Sequence, residues 1–457
     1  MRRQMFRLNR SVRLLLIPAI ALTVSLSFAV PNSARAGTFK VLHSFCAKNN
    51  CGDGSFPRAS LVMDEGGNLF GNTDTGGNGR GVVFELRQTE PGKFKFIKLY
   101  TFCRRSMCND GYNPMGALIV DTNGNLYGTA SLGGAGRKGV VFKLSPTDKG
   151  KWTQSVLYSF CHDFSCSDGS TPAAGLTYAG AASGAPYDGV SPLYGTTAAG
   201  GANSEGTVFS LVLNGSQWTE AILYNFCSQG GSACSDGAGP LASLAMDQAG
   251  NLYGTTGHGG HQEGGGAGVA YELLPNGNGS WTETVLHLFC SAAQCADGEF
   301  PDGNLIWDSG GSLLGTTAAG GLSCDRGPFG CGTIFKLVPN GTDSQESVLY
   351  AFCQKKDCKD GANPVGAVVL DSGGNLFGTT TDGGGNDIDG MSIGGGVVYE
   401  LSGSTFSVLH RFCSKSDCAD GADPEAGLVI DGSGNLFGTA TMAGAFAAGG
   451  DVFEVHP

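Results

Sequence analysis

Beyond residue 36 the sequence contains no apolar run long enough to cross a bilayer as a helix, and no segment with a sustained 3.6-residue apolar period. The first absence excludes a helical membrane domain and the second excludes a helix-built fold. Basic residues are also scarce. Of the 28 Lys and Arg, six lie in the first 36 residues, where there are no acids. The remainder of the chain holds 22 basic residues against 40 acidic ones, a net charge of −18. Nucleic acid and anionic lipid both need a basic surface to neutralise phosphate, so neither is expected as a partner. No Gly-x-Ser-x-Gly elbow stands between a strand and a helix, and the Gly-Gly runs precede no helix, which removes the hydrolase-elbow and phosphate-loop readings. No cysteine is left outside a close pair.

The first 36 residues read as a secretory signal. Arg2, Arg3, Arg7, Arg10 and Arg13 form a basic start, Leu14 to Val30 is apolar, and Ala34-Arg35-Ala36 is a small-x-small cleavage pattern. The alternative is an uncleaved anchor, but Pro18 interrupts a stretch already short for a span. Gly37 follows the cleavage pattern, so lipoprotein processing is not indicated. The expected location is secreted or periplasmic, with no membrane association after cleavage and a monomeric chain.

What the rest of the sequence does have is one unit written seven times. Phe-Cys recurs at Cys46, Cys103, Cys161, Cys227, Cys290, Cys353 and Cys413. A second cysteine follows each, and then x-Asp-Gly-x-x-Pro, as in Cys358 to Pro364. An apolar segment ending in Asp comes next, then Gly-Asn-Leu-Tyr/Phe-Gly-Thr, a Gly-Gly loop, Gly-x-Val-Phe-x-Leu, and a closing segment such as Trp152 to Phe160. These segments are short, rich in Val, Ile, Phe, Tyr and Thr, and bounded by turn residues, which is strand chemistry. The Asp-x-x-Gly-Asn link is hairpin chemistry, because Gly and Asn accept positive φ. Four strands repeated seven times predict an all-β fold, a single seven-bladed β-propeller occupying residues 37–457. The repeats fall near 46–102, 103–160, 161–226, 227–289, 290–352, 353–412 and 413–457. The last unit lacks its fourth strand, and residues 38–45 are a fourth strand without a unit. Pairing residues 38–45 with residues 451–456 would close the ring and remove two exposed edges.

The pattern resembles the Gloeo/Verruco-type (GloVer) tandem repeats, with a core similar to the NHL-type propeller repeat. The clearest match is Val369 to Thr380 with Gly396 to Leu401, and the resemblance spans the chain after the signal. One copy departs, between Thr177 and Leu193, where a longer segment replaces the usual turn. The resemblance implies an extracytoplasmic bacterial protein and brings no established catalytic activity with it.

The sixteen cysteines form eight close pairs. Seven belong to the repeat: Cys46 with Cys51, Cys103 with Cys108, Cys161 with Cys166, Cys227 with Cys234, Cys290 with Cys295, Cys353 with Cys358, and Cys413 with Cys418. The eighth, Cys324 with Cys331, lies within a Gly-rich loop. In an exported chain, local pairs with an even count read as disulfides. Zinc would need two pairs to converge, and pairs held in separate blades are poorly placed for that. The seven Asp of the x-Asp-Gly turns (Asp53, Asp110, Asp168, Asp236, Asp297, Asp360, Asp420) are expected to cap their own turns rather than form a cation-binding ring. His43, His287 and His410 alternate with Tyr100, Tyr158, Tyr224 and Tyr350 and are expected to be packing rings.

Function is expected where the copies differ. Length varies in the loop between second and third strands, at 257–267, 322–331 and 382–395, on the face that also carries the Cys-Asp-Gly links. The candidate binding rim is His258, His261, Glu263, Asp325, Arg326, Asp382, Asp387 and Asp389. No resident metal or cofactor is expected; calcium at Asp382, Asp387 and Asp389 is the nearest candidate, although the terminal bidentate acid is not at the required spacing. The expected role is an exported binding or scaffold propeller that recognises a glycan, a protein or an envelope component. The alternative is a propeller lactonase, lyase or hydrolase with a cation in the central channel. That alternative requires unlike polar residues at the channel mouth, and sequence order alone does not identify them.

Overall fold

A computed structural model describes residues 37–47, 49–229, 234–260, 266–321, 330–342, 344–385, 394–442, 444 and 449–457. The chain forms seven four-stranded antiparallel sheets. Among the described residues there is no α-helix, only single 3-10 turns, and no helix is long and apolar enough to cross a membrane. The sheets span residues 62–101, 119–159, 177–225, 245–288, 306–351 and 369–411, which are blades 1 to 6. Blade 7 combines residues 429–456 with Thr38–Ser44. That first strand pairs with Asp451–His456 from Thr38↔His456 to Ser44↔Asp451, so the ring closes as its sequence ends foretell.

Each blade has the same internal logic. The second strand is wholly buried, as in Leu126–Ala130 and Leu252–Thr256, except at Tyr194 of blade 3, which is half-buried. Its central glycine faces the ring of a third-strand aromatic: a Cβ on Gly71 would lie 2.6 Å from Phe84, and one on Gly378 would lie 2.3 Å from the Tyr399 hydroxyl. The apolar layers between blades hold one buried aromatic from each Phe-Cys motif, including Phe45, Phe102, Phe160 and Phe226. The turn between first and second strands is fixed by its aspartate. Asp371 accepts the backbone N–H groups of Gly373 and Asn375, both at 2.8 Å, and the Asn375 side-chain amide at 2.7 Å. Asp64, Asp121, Asp247 and Asp431 repeat the arrangement.

Blades are joined near the axis by a ring of side-chain hydrogen bonds. Thr129 Oγ1 donates to Ala174 O at 2.7 Å, Thr316 Oγ1 to Gly366 O at 3.0 Å, and Thr379 Oγ1 to Ala426 O at 2.9 Å. Asn72 and Thr196 make the same bond to the next blade. Thr439 reaches Ala59 O at 3.4 Å, across the closure. Thr255 alone breaks the ring, its buried Oγ1 having no hydrogen-bond partner among the described residues. The departing copy folds as a long turn containing Ala181–Ser183, and Tyr187 bridges back to Asp121 of blade 2.

Candidate functional site

The link between blades shows what the repeated residues do. In every blade the link pairs with the loop after the second strand, through bridges such as Ser55↔Thr75, Tyr112↔Leu132 and Ala362↔Asp382. Links and Gly-Gly loops therefore share one face, and the two-strand hairpin turns occupy the other. The Asp of each x-Asp-Gly turn points into its own link. Asp110 accepts the backbone N–H groups of Arg104 and Arg105 and the Tyr100 hydroxyl, the last at 2.7 Å. Asp360 does the same with Gln354, Lys355 and Tyr350. Asp168, Asp236, Asp297 and Asp420 likewise accept backbone N–H groups of their links, so these six carboxylates are structural caps, as expected; Asp53 makes no hydrogen bond among the described residues and lies 3.6 Å from His43.

The three histidines that replace tyrosine are more than packing rings. His287 Nε2 lies 3.2 Å from Asp297 and His410 Nε2 3.2 Å from Asp420, with His43 3.6 Å from Asp53. Burial raises the Asp297 and Asp420 carboxyls, but the adjacent His287 or His410, a serine and the backbone N–H groups outweigh it and hold both at about 2. From the outer strand of the following blade a further side chain covers each pair. Phe96, Phe406 and Phe39 stack on His43, Tyr350 and His410. In blades 3, 4 and 5 the covering residue is Glu220, Glu283 or Glu346, each with a buried oxygen that has no hydrogen-bond partner among the described residues. Burial raises all three carboxyls to about 7, with further upward pressure from Asp168, Asp236 and Asp297 respectively.

Seven disulfides close the seven links, as the local pairing predicts. Cys46 is bonded to Cys51, Cys103 to Cys108, Cys161 to Cys166, Cys227 to Cys234, Cys290 to Cys295, Cys353 to Cys358, and Cys413 to Cys418. The second cysteine of each pair also ties the link to the Gly-Gly loop through its carbonyl. Cys234 O accepts Gly237 N at 2.7 Å and Gly260 N at 2.9 Å, so the longer link of blade 4 ends in the same place as the others. Cys295 O accepts Gly298 N at 2.9 Å and Gly321 N at 2.8 Å. All fourteen of these cysteines have left-handed backbone, with φ between 41° and 64°. Such a conformation costs an L-residue about 1–2 kcal/mol. Each crosslink thus holds a turn that the backbone alone resists. In one place two pairs do converge, contrary to expectation: Cys331, Cys353 and Cys358 have their sulfurs within 4.8 Å of one another. Cys331, just before the third strand of blade 5, is held beside the link to blade 6 by Asn363 N, which donates to Cys331 O at 2.8 Å. All three are disulfide-bonded, so they offer no thiolates to a metal. Cys324 lies outside the described residues.

Of the sequence-derived rim, His258 and Asp382 are described; His261, Glu263, Asp325, Arg326, Asp387 and Asp389 lie outside the described residues. Asp382 accepts the Asn363 side-chain amide at 2.7 Å. His258 packs edge-on to Phe300. Burial raises the Asp302 carboxyl to about 6, against the lowering influence of His258. The structure does not bring His258 and Asp382 into one constellation.

The position that sequence reasoning missed follows each of the seven link prolines. It holds Arg58, Met115, Ala173, Leu241, Asp302, Val365 and Glu425, seven different residues at one structural place. These side chains ring the mouth of the channel, and the next residue in every blade is Ala or Gly. The small residues let seven backbones converge: a Cβ on Gly116 would lie 2.4 Å from Ala174 O, and one on Gly427 would lie 2.9 Å from Ala367 O. The channel cavity is correspondingly small, about 120 Å³. That is space for a few waters and not for a sugar ring.

Ring closure creates a charged pole at this mouth. Arg58 of blade 1 lies 3.4 Å from Glu425 of blade 7 and 4.0 Å from Asp74. Asp423, two residues before Glu425, is raised to about 6 by burial and by Glu425, partly opposed by Arg58. Burial also raises Glu425 and Asp74. Unlike polar residues are therefore gathered at the mouth, from positions more than 360 residues apart in sequence. Elsewhere on this face a concavity of about 510 Å³ is lined by Arg137, Lys138, His162 and Phe164. The opposite face has a groove of about 640 Å³ beside the departing turn, lined by Met63, Phe70, Val120, Tyr178 and Pro186 among others.

The Gloeobacter/Verrucomicrobia repeat family matches residues 31–191, 186–387 and 321–457. The chain belongs to this repeat family. No curated protein matches it. Among solved structures, a luciferin-regenerating enzyme is 11% identical over 92% of this chain and 95% of its own, with a TM-score of 0.41. A gluconolactonase from Xanthomonas campestris is 12% identical over 93% and 90%, at 0.39. A Thermus glucose dehydrogenase described as a putative oxidoreductase is 13% identical over 92% and 99%, at 0.39. Likeness at this level carries nothing about chemistry to this repeat protein.

Proposed function

We infer that the protein is an extracytoplasmic binding propeller whose recognition surface is the face carrying the links and Gly-Gly loops. One observation supports the reading above others. At the channel mouth, between seven prolines and seven Ala or Gly residues, one position takes seven different side chains. A rigid ring with constant flanks and a variable rim is how repeat scaffolds present a binding surface. The disulfides support an oxidising surrounding, and the signal-like start supports export. The small channel favours a ligand laid across the mouth over a substrate enclosed within it. Immobilised panels of envelope glycans and peptides test this. Retention should fall when Arg58→Ala and Leu241→Ala are combined, and should survive Lys149→Ala, in a hairpin turn of the opposite face. Loss with Lys149→Ala but not with the face variant would overturn the reading.

A second reading, a propeller hydrolase or lyase, draws on the Arg58, Asp74, Asp423 and Glu425 pole. Turnover of a lactone or ester panel that disappears with Glu425→Gln would favour it.

A further inference from the structure

We propose that the link and loop face of blades 1 to 3 binds an acidic glycan, a saccharide bearing ring carboxylates, through Arg137, Lys138 and Phe164. The proposal rests on the binding-face reading above and names its ligand class.

Charge is distributed unevenly around the ring. Residues 37–151, from the closing strand of blade 7 through blade 1 to the third strand of blade 2, hold 15 basic and 9 acidic residues. Residues 152–325, covering most of blades 3 to 5, hold no Lys or Arg at all and 15 acids. Arg104, Arg105, Arg137 and Lys138 are exposed and, like most cations of this chain, make no ion pair among the described residues. Arg105 donates to Gln154 O at 2.7 Å and Arg104 lies over the Tyr100 ring, which leaves Arg137 and Lys138 as the cations lining the concavity.

Backbone packing places these four together. The loop of blade 2 lies against the preceding link, since Gly134 N donates to Cys108 O at 3.0 Å. Its other side lies against the following link, where a Cβ on Gly136 would meet Phe160 O at 2.1 Å. Three segments, 103–108, 133–138 and 161–166, therefore run side by side. Between the last two lies the 510 Å³ concavity, a size ordinary for a small ligand. Its one acid, Asp163, is committed to the backbone and hydroxyl of Ser167.

Phe164 supplies the second element. Its side chain is fully exposed, at 111% relative area, on a loop closed by the Cys161–Cys166 disulfide. No other link carries an aromatic residue between its two cysteines. The disulfide constrains the backbone that carries this exposed ring, and the ring's face suits the C–H face of a pyranose. Cations beside such a ring suit a sugar carboxylate. The neighbouring stretch argues against a long, densely charged polyanion: a nucleic acid extending past blade 2 toward blades 3 and 4 would meet residues 152–325, which hold no Lys or Arg.

The probe is hexagalacturonate, with its methyl ester as the uncharged control, titrated calorimetrically into the exported chain. Binding should be selective for the acid and weaken with added salt. Arg137→Ala and Lys138→Ala should each weaken it roughly tenfold, and Phe164→Ala roughly fivefold, with unchanged thermal midpoints. Lys356→Ala, a cation on a distant link, should leave affinity unchanged. Equal binding of the methyl ester, preference for oligothymidylate or phosphatidylglycerol vesicles, or indifference to Arg137 and Phe164 each overturns the proposal. Retention of a neutral glycan or peptide that depends on Arg58 would overturn only the ligand class and leave the binding-face reading standing.

Discussion

The half-buried carboxyls make a testable demand on the pH dependence of stability. Glu220, Glu283 and Glu346 are raised to about 7, and Asp302, Asp423 and Asp451 to about 6, chiefly by burial. Asp451 occupies the place that Val82, Val140, Thr207, Val269, Thr333 and Val397 take in the other blades, opposite Ser44 at the ring closure. A carboxyl whose folded pKa lies above its unfolded value binds more protons when folded, so stability falls as pH rises between the two. Each shift of about two units is worth roughly 3 kcal/mol unscreened, and partial exposure reduces this to roughly 1 kcal/mol. Six such groups give roughly 6 kcal/mol between pH 4 and 8, which for about 420 residues moves the thermal midpoint by about 6 °C. Asp297 and Asp420, held at about 2, act oppositely and remove stability as pH falls below about 4. Scanning calorimetry in half-unit pH steps at fixed ionic strength should therefore show a maximum near pH 4–5. Changing Glu220, Glu283 and Glu346 together to Gln should raise the midpoint at pH 8 by about 3 °C. A midpoint at pH 8 equal to or above that at pH 5 would show that these carboxyls are not held protonated by the fold.

Other consequences are as direct. Removal of residues 37–46 should lower the midpoint sharply, because it exposes the third strand of blade 7 and strips Phe39 from His410, Phe412 and Phe453; an unchanged midpoint in calorimetry would contradict closure. Thr129→Val should cost about 1–2 kcal/mol in urea unfolding, by leaving Ala174 O unsatisfied, whereas Thr255→Val should be neutral or stabilising. Replacing Cys103 and Cys108 by Gly should give a more stable chain than replacing both by Ala, by about 1–2 kcal/mol, because only Gly tolerates their φ of 58° and 54°. Equal stability of the two variants would remove backbone strain from the account of the links.

Much of this structure is legible in the sequence because it repeats. The strands, the Asp hairpins and the linking cysteines are each written seven times over local spans, and local chemistry decides them. Even the closure is legible, since Phe39 to Phe45 is a fourth strand without a blade. The channel mouth is not legible in that way. Arg58 and Glu425 touch only because blade 7 meets blade 1, and no spacing rule connects them. A signal was nonetheless present, in the variability of the residue after each link proline. The covering glutamates were hidden for a related reason: Glu220 meets Tyr158 and Asp168 across a blade boundary, where Phe96, Phe406 and Phe39 serve in other copies. The tyrosine-to-histidine interchange revealed the ring but not its hydrogen bond to Asp, because burial of the carboxylate is a property of the folded link.

In the proposed reading one face of the ring recognises the ligand. Hydrogen exchange with and without the tightest-binding glycan of the panel tests it most directly. Protection confined to residues 57–60, 103–108, 133–138 and 161–166 is the predicted result. Protection at the hairpin turns 64–68 and 121–125 and the long turn 179–192, on the opposite face, would contradict it.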